Sequence, residues 1–285
     1  MLSHSQVEHF NIFGVLILRG ILSEKKVQKL NAEFDAKLAT TTVGKDEGEK
    51  QLKASWPSLG PDTPFAGSLL EDPRVIEIVE SIYTDGFYGI SCNSNSQAGE
   101  TYWHPDSNFQ YIQGLKVVTY LQPLNGDNGA LRVIPGSHCF PMHDKIKQIE
   151  MHKPKNDGLK RDEKVANGDS DSSAGLAIGE VPALICSTTP GDLIVFDFRI
   201  WHASTGGAID RRMLSMTFLK QAVSPEEEEA VNKQVQISQK FRAARAKESF
   251  AKRRSEYHPD WIANPSNDPR RQRWIDWMRL KGYFH

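Results

Sequence analysis

The chain has 285 residues, 39% of them hydrophobic and 25% charged, a balance that supports a folded core and excludes collagen-like and disordered classes. Lys and Arg number 35 against 36 Asp and Glu, so no global charge draws the protein to nucleic acid or an anionic membrane. No apolar run approaches bilayer length, and the three cysteines, Cys92, Cys139 and Cys186, lack the spacing of a zinc site or disulfide framework. The expectation is a soluble, cytoplasmic protein with reduced thiols.

In chain order, Ser3 can cap a short helical turn carrying Val7 and Phe10, which Gly14 breaks before the apolar strand 15–18. Ser23 opens a helix with Val27, Leu30, Phe34 and Leu38 at helical spacing, residues 39–66 read as polar and irregular, and Asp72-Pro73 starts a helix with Val75, Ile76, Val79 and Ile82 on one face. Short strands follow at 89–93, 115–121, 131–134, 183–187, 193–200 and 213–219, separated by Gly, Pro and Asn turns. Strands at this spacing without intervening helices predict an antiparallel sandwich or barrel. Residues 153–181 read as a polar surface insertion. The division expected is a β domain over 1–221 and a helical C-terminal extension over 222–285, whose Trp261, Trp274 and Trp277 dock on the main domain or form a subunit interface.

The chemistry concentrates in His104-Pro105-Asp106 and in His202 at the end of an apolar strand. Two imidazoles and one carboxylate can occupy one face of an octahedral Fe(II), leaving three positions for an organic ligand and dioxygen. Residues i and i+2 on an extended strand point the same way, so His104 and Asp106 can converge on one ion. A lone His-x-Asp is weak evidence, and His258-Pro259-Asp260 is a second copy. With no strand pattern before it, that copy reads as a turn with a helix-capping Asp.

Beyond His202 lie the turn Ser204-Thr205-Gly206-Gly207 and then Arg211-Arg212 opening a strand. An arginine beside a metal can grip a dicarboxylate with two prongs, which is what 2-oxoglutarate requires. Only one of two adjacent arginines on a strand can face inward, and Arg211 is preferred over Arg212. Thr119 is a further candidate for the cosubstrate; His138, Trp103 and Trp201 read as structural.

The segments Trp103-His104-Pro105-Asp106, Asp127-Asn128-Gly129 through Pro135-Gly136-Ser137-His138, Pro190-Gly191-Asp192 through Phe196, and His202-Ala203-Ser204 with the arginine beyond resemble, in type and order, the phytanoyl-CoA dioxygenase family. The resemblance implies a mainly β fold with flanking helices, a double-stranded β-helix (jelly roll, cupin-like). It implies Fe(II) held by His104, Asp106 and His202, 2-oxoglutarate as cosubstrate with its far carboxylate on Arg211, and O2 as oxidant. The implied reaction is hydroxylation of a small-molecule C–H bond, with release of succinate and carbon dioxide. Desaturation or epoxidation by the same machinery, a non-catalytic metal-binding barrel and a zinc hydrolase are the alternatives. Asp106 is retained where halogenating relatives lose the carboxylate, which points to oxygen chemistry. Asn93-Ser94-Asn95-Ser96 replaces the family's usual lysine-proline stretch, implying an uncharged substrate contact.

Overall fold

The computed structural model describes residues 1–41, 44–45, 52–84, 86–148, 178–206, 210–245 and 257–284. Most of the expected insertion at 153–181 therefore lies outside the described residues, as does the stretch between 246 and 256.

Helix α1 (His4–Phe13) starts with a reciprocal cap: the Ser3 hydroxyl accepts from the Gln6 amide, and the Gln6 side chain accepts from the Ser3 amide. It ends at Gly14, whose φ of 74° turns the chain into β1 (Val15–Leu18). A Cβ at this position would stand 2.5 Å from the His138 ring, so backbone conformation and space both require glycine. Helix α2 (Glu24–Leu38) is capped by Ser23 and buries Val27, Leu30 and Phe34, as its periodicity predicts.

The stretch expected to be irregular contains β2 (Gly44–Lys45), β3 (Leu52–Pro57) and the short α3 (Pro64–Ser68). Strand β3 buries the alternating Ala54 and Trp56 and pairs with the next strand. Helix α4 (Pro73–Ile82) follows its Asp72 cap and Pro73, as expected.

The β region comprises β4 (Phe87–Gln97), β5 (Thr101–His104), β6 (Gly114–Tyr120), β7 (Leu131–Val133), then α5 (Met142–Gln148), β8 (Leu184–Cys186), β9 (Leu193–Asp197), β10 (His202–Ser204) and β11 (Arg211–Lys220). Strand β4 outruns the 89–93 expected because β3 and β11 pair with it on either side, which carries the Asn- and Ser-rich end into the sheet against its low strand propensity. Strand β9 stops three residues early. There the Asp197 carboxylate accepts from the Arg199 amide and guanidinium, which bends the chain before His202.

All pairings are antiparallel, in a seven-stranded sheet of order β1-β9-β6-β11-β4-β3-β2 and a four-stranded sheet of order β5-β10-β7-β8. Val118, Tyr120, Leu131, Val133, Ile194 and Phe196 pack between the sheets. The opposite face of the larger sheet, through Leu115, Val117, Leu214 and Met216, packs against Leu30, Phe34, Val75 and Val79 of the helices. This is the jelly roll with flanking helices that the sequence implies.

Helix α6 (Pro225–Arg245), α7 (Pro259–Ile262) and α8 (Pro269–Leu280) complete the chain. The buried Trp274 donates its indole N–H to the Phe87 carbonyl at 3.0 Å, and Trp277 stacks on Tyr88 at 4.1 Å. Among the described residues, no helix is long and apolar enough to cross a membrane.

Candidate functional site

His104 ends β5 and His202 begins β10, and the antiparallel register places the two directly opposite each other. Asp106 follows in the turn after β5. That turn is fixed because the amides of Asp106 and Ser107 both donate to the Phe198 carbonyl, at 2.8 and 3.0 Å. One ligand-capable atom from each of His104, Asp106 and His202 lies within 4.8 Å of the others. The bend that ends β9 at Asp197 and the bend after His104 thus meet, and residues about a hundred positions apart share one point.

The hydrogen bonds set the ring orientations. His104 Nδ1 bonds the Tyr102 carbonyl at 2.6 Å and His202 Nδ1 bonds the Ile200 carbonyl at 3.0 Å. A carbonyl only accepts, so each Nδ1 carries a proton and Nε2 is the atom of each ring left to a ligand. Burial, followed by the neighbouring His104, lowers the His202 pKa to about 3, so this ring is neutral near pH 7. For Asp106 burial is the largest influence and pushes upward. Lys116 and the two histidines outweigh it and hold the carboxyl at about 2. Lys116 donates to Asp106 Oδ1 at 2.7 Å, whereas Oδ2 is buried with no partner. Two imidazole Nε2 atoms and one carboxylate oxygen without a partner among the described residues are a donor set that fits a divalent transition metal.

His104 and His202 line a cavity of about 300 Å³ between the sheets, whose wall also includes Lys116, Tyr120, Phe196, Ser204 and Arg211. Arg211 is 4% exposed, and among the described residues its guanidinium makes one hydrogen bond, to the Gly129 carbonyl at 3.2 Å. No carboxylate among the described residues pairs with it; burial pulls its pKa down, and only the phenol of Tyr120 opposes that. Ser204, two residues beyond His202, has a buried hydroxyl without a partner. A buried guanidinium without a counter-charge is costly, a cost that an anion in the cavity would offset. The adjacent Arg212 faces outward and pairs with Asp210 and with Asp35 of α2.

Thr119, expected at the cosubstrate, is not on the cavity. Strand alternation sends Lys116, Val118 and Tyr120 to the cavity face, while Thr119 lies opposite Leu214 on the side facing the helices. In the second His-x-Asp, the His258 ring caps α7 by accepting from the Asp260 amide at 3.2 Å, so histidine caps where aspartate was expected. His138 is structural: its Nε2 bonds the Asn11 carbonyl at 3.1 Å. Sequence reading passed over Lys116, although a single charge inside the apolar run Leu115 to Leu121 was a legible signal.

The model of the family described as phytanoyl-CoA dioxygenase (PhyH) matches residues 10–213. An ectoine dioxygenase from Bordetella bronchiseptica is 25% identical over 154 residues, 48% of this chain and 50% of that protein. The chain thus spans about half the length of the ectoine dioxygenases it matches. The dioxygenase FrzG from a Cladobotryum species is 25% identical over 256 residues, covering 77% of this chain and 75% of its own. Among solved structures, HygX from Streptomyces hygroscopicus with nickel and 2-oxoglutarate bound superimposes with a TM-score of 0.56 at 16% identity, over 78% of this chain and 88% of that one.

Proposed function

Since the chain belongs to the phytanoyl-CoA dioxygenase family, we propose that it is an Fe(II)- and 2-oxoglutarate-dependent oxygenase that hydroxylates a C–H bond of a small polar molecule. In this reading His104 and His202 through Nε2, and Asp106 through Oδ2, would hold the iron. When bound, iron and 2-oxoglutarate supply the activation of dioxygen, with succinate and carbon dioxide as by-products.

The observation that carries the reading is Arg211, a buried cation without an acidic partner, in the same cavity as the His-Asp-His cluster. Its guanidinium takes the far carboxylate of the cosubstrate, and the unpartnered Ser204 hydroxyl is available to the same ligand. The Nδ1 bonds to Tyr102 and Ile200 fix both imidazole planes, so the donors are in place before a ligand arrives. Phe196 and Val118 exclude water from one wall.

On the remaining wall, Asn93, Asn95 and Gln97 alternate along β4 beside Ser55 and Ser215. The Asn93 and Asn95 amides make no hydrogen bond among the described residues and so offer neutral donors and acceptors to a substrate. At about 300 Å³ the cavity is at the lower end of small-molecule sites, and the cosubstrate shares it. A compact polar substrate fits these walls better than a long acyl chain.

The test is an anaerobic titration with Fe(II) and 2-oxoglutarate, followed by oxygen. The expected results are a visible metal-to-ligand charge-transfer band that requires both components, and then succinate. Iron binding that is indifferent to 2-oxoglutarate would sink the assignment.

A further inference from the structure

We propose that Lys116 is a positioning residue that commits one oxygen of Asp106 and leaves the other as the sole carboxylate donor to the metal. The inference rests on the metal-site reading above and adds a residue to it.

Lys116 sits in the middle of β6, a strand paired on both sides by β9 and β11. Its neighbours Leu115, Val117 and Val118 are fully or almost fully buried. A charge at such a position is costly unless it is paired, and an apolar residue would pack there without that cost. The lysine reaches from the larger sheet to the turn that follows β5 of the smaller one. Its ammonium donates to Asp106 Oδ1 at 2.7 Å.

Among the described residues this is the only hydrogen bond made by the Asp106 carboxylate, because Oδ2 has no partner there and the backbone bond to Phe198 is made by the amide. The rotation of the carboxylate about its last side-chain bond is therefore set by one charged contact. With Oδ1 held by the ammonium, the carboxylate offers a cation one oxygen and not two. Three protein donors, two nitrogens and one oxygen, leave three of six octahedral positions for a bidentate cosubstrate and dioxygen. A carboxylate free to bind through both oxygens would occupy one of those positions.

The probe is Mn(II), titrated into the full-length metal-free protein and followed by electron paramagnetic resonance. Lys116→Met is expected to weaken Mn(II) binding by about 10–100-fold, the usual cost of losing an outer partner of a ligand, and to change the spectrum of the bound ion. Lys116→Arg, which keeps a charged donor, should retain most of the affinity and the wild-type spectrum. The direction of the change is informative, because removing a nearby positive charge without disturbing Asp106 would tighten binding of a cation. Unchanged or tighter binding by a folded Lys116→Met would overturn the proposal. If that variant does not fold, Lys116→Arg decides, and a loss as large as that of Asp106→Ala in a folded protein would overturn it. Absence of Mn(II) binding by the wild type would bring down the metal-site reading itself, whereas wild-type binding abolished in Asp106→Ala but insensitive to Lys116 brings down this inference alone.

Discussion

His104 and His202 face each other across the β5–β10 pair with their ring centroids 4.3 Å apart. Neighbouring strands of one sheet, and not two loops, set this separation, so backbone pairing positions the two histidines. Asp106 completes the group from a turn anchored on the Phe198 carbonyl.

Replacing either histidine, or Asp106, by alanine should abolish 2-oxoglutarate-dependent succinate formation. The loss should exceed the roughly 10–100-fold that removal of an outer partner costs. Circular dichroism and the urea midpoint should show a retained fold. Full turnover in any one variant would remove that residue from the metal site.

Arg211→Ala should raise the 2-oxoglutarate concentration needed for half-maximal turnover by on the order of 10–100-fold, the worth of a charge-assisted contact of about 1.5–3 kcal/mol. Arg212→Ala breaks its pairs with Asp35 and Asp210 on the outside and should leave that concentration nearly unchanged. A reversed pattern in steady-state kinetics would place the cosubstrate elsewhere.

The metal-free protein should lose stability as it is acidified. The folded His202 titrates at about 3, held down by burial and by His104, against about 6.5 in an unfolded chain. Between those values only the unfolded chain takes up the proton. The contribution is therefore complete above about 6.5 and drains away toward 3, at up to about 1.4 kcal/mol per pH unit. Urea unfolding at pH 6.5 and pH 5 should show wild type losing on the order of 2 kcal/mol more than His202→Asn. Parallel losses in the two proteins would show that His202 titrates normally.

Gly89 and Trp274 are a further pair to test. A Cβ at position 89 would stand 2.6 Å from the Trp274 ring, so Gly89→Ala should destabilise the fold by about 1–3 kcal/mol through overpacking. Trp274→Ala should cost about 3–5 kcal/mol by leaving a cavity and an unpaired Phe87 carbonyl. Mn(II) affinity of the folded protein should not change in either variant. A change would mean that α8 bears on the metal site through β4.

The three ligand candidates were legible in the His-x-Asp spacing and in the family resemblance of the segments around them, but Asp106 reaches the histidines from the turn after β5 and not from an extended strand. The inward direction of Arg211 followed from strand alternation, but only one phase is correct, and the same alternation removed Thr119 from the cavity. Strand β3 was illegible because it lies in a polar stretch without a continuous apolar pattern and is held by pairing with β4. The polar end of β4 reads as loop by propensity and becomes strand through two neighbours. Lys116 was visible as a charge in an apolar run, but the sequence does not state what faces it across the sandwich. The contact with Asp106 depends on how the two sheets stack.

Strand β1 pairs with β9 along residues 15–18 and forms one border of the larger sheet. A protein shortened by those opening residues would bare the backbone of β9, whose continuation carries His202. Exposed strand backbone recruits other chains, so such a product should self-associate. Truncations that remove β1 would then be felt at the histidine, even though they remove no side chain from the cavity.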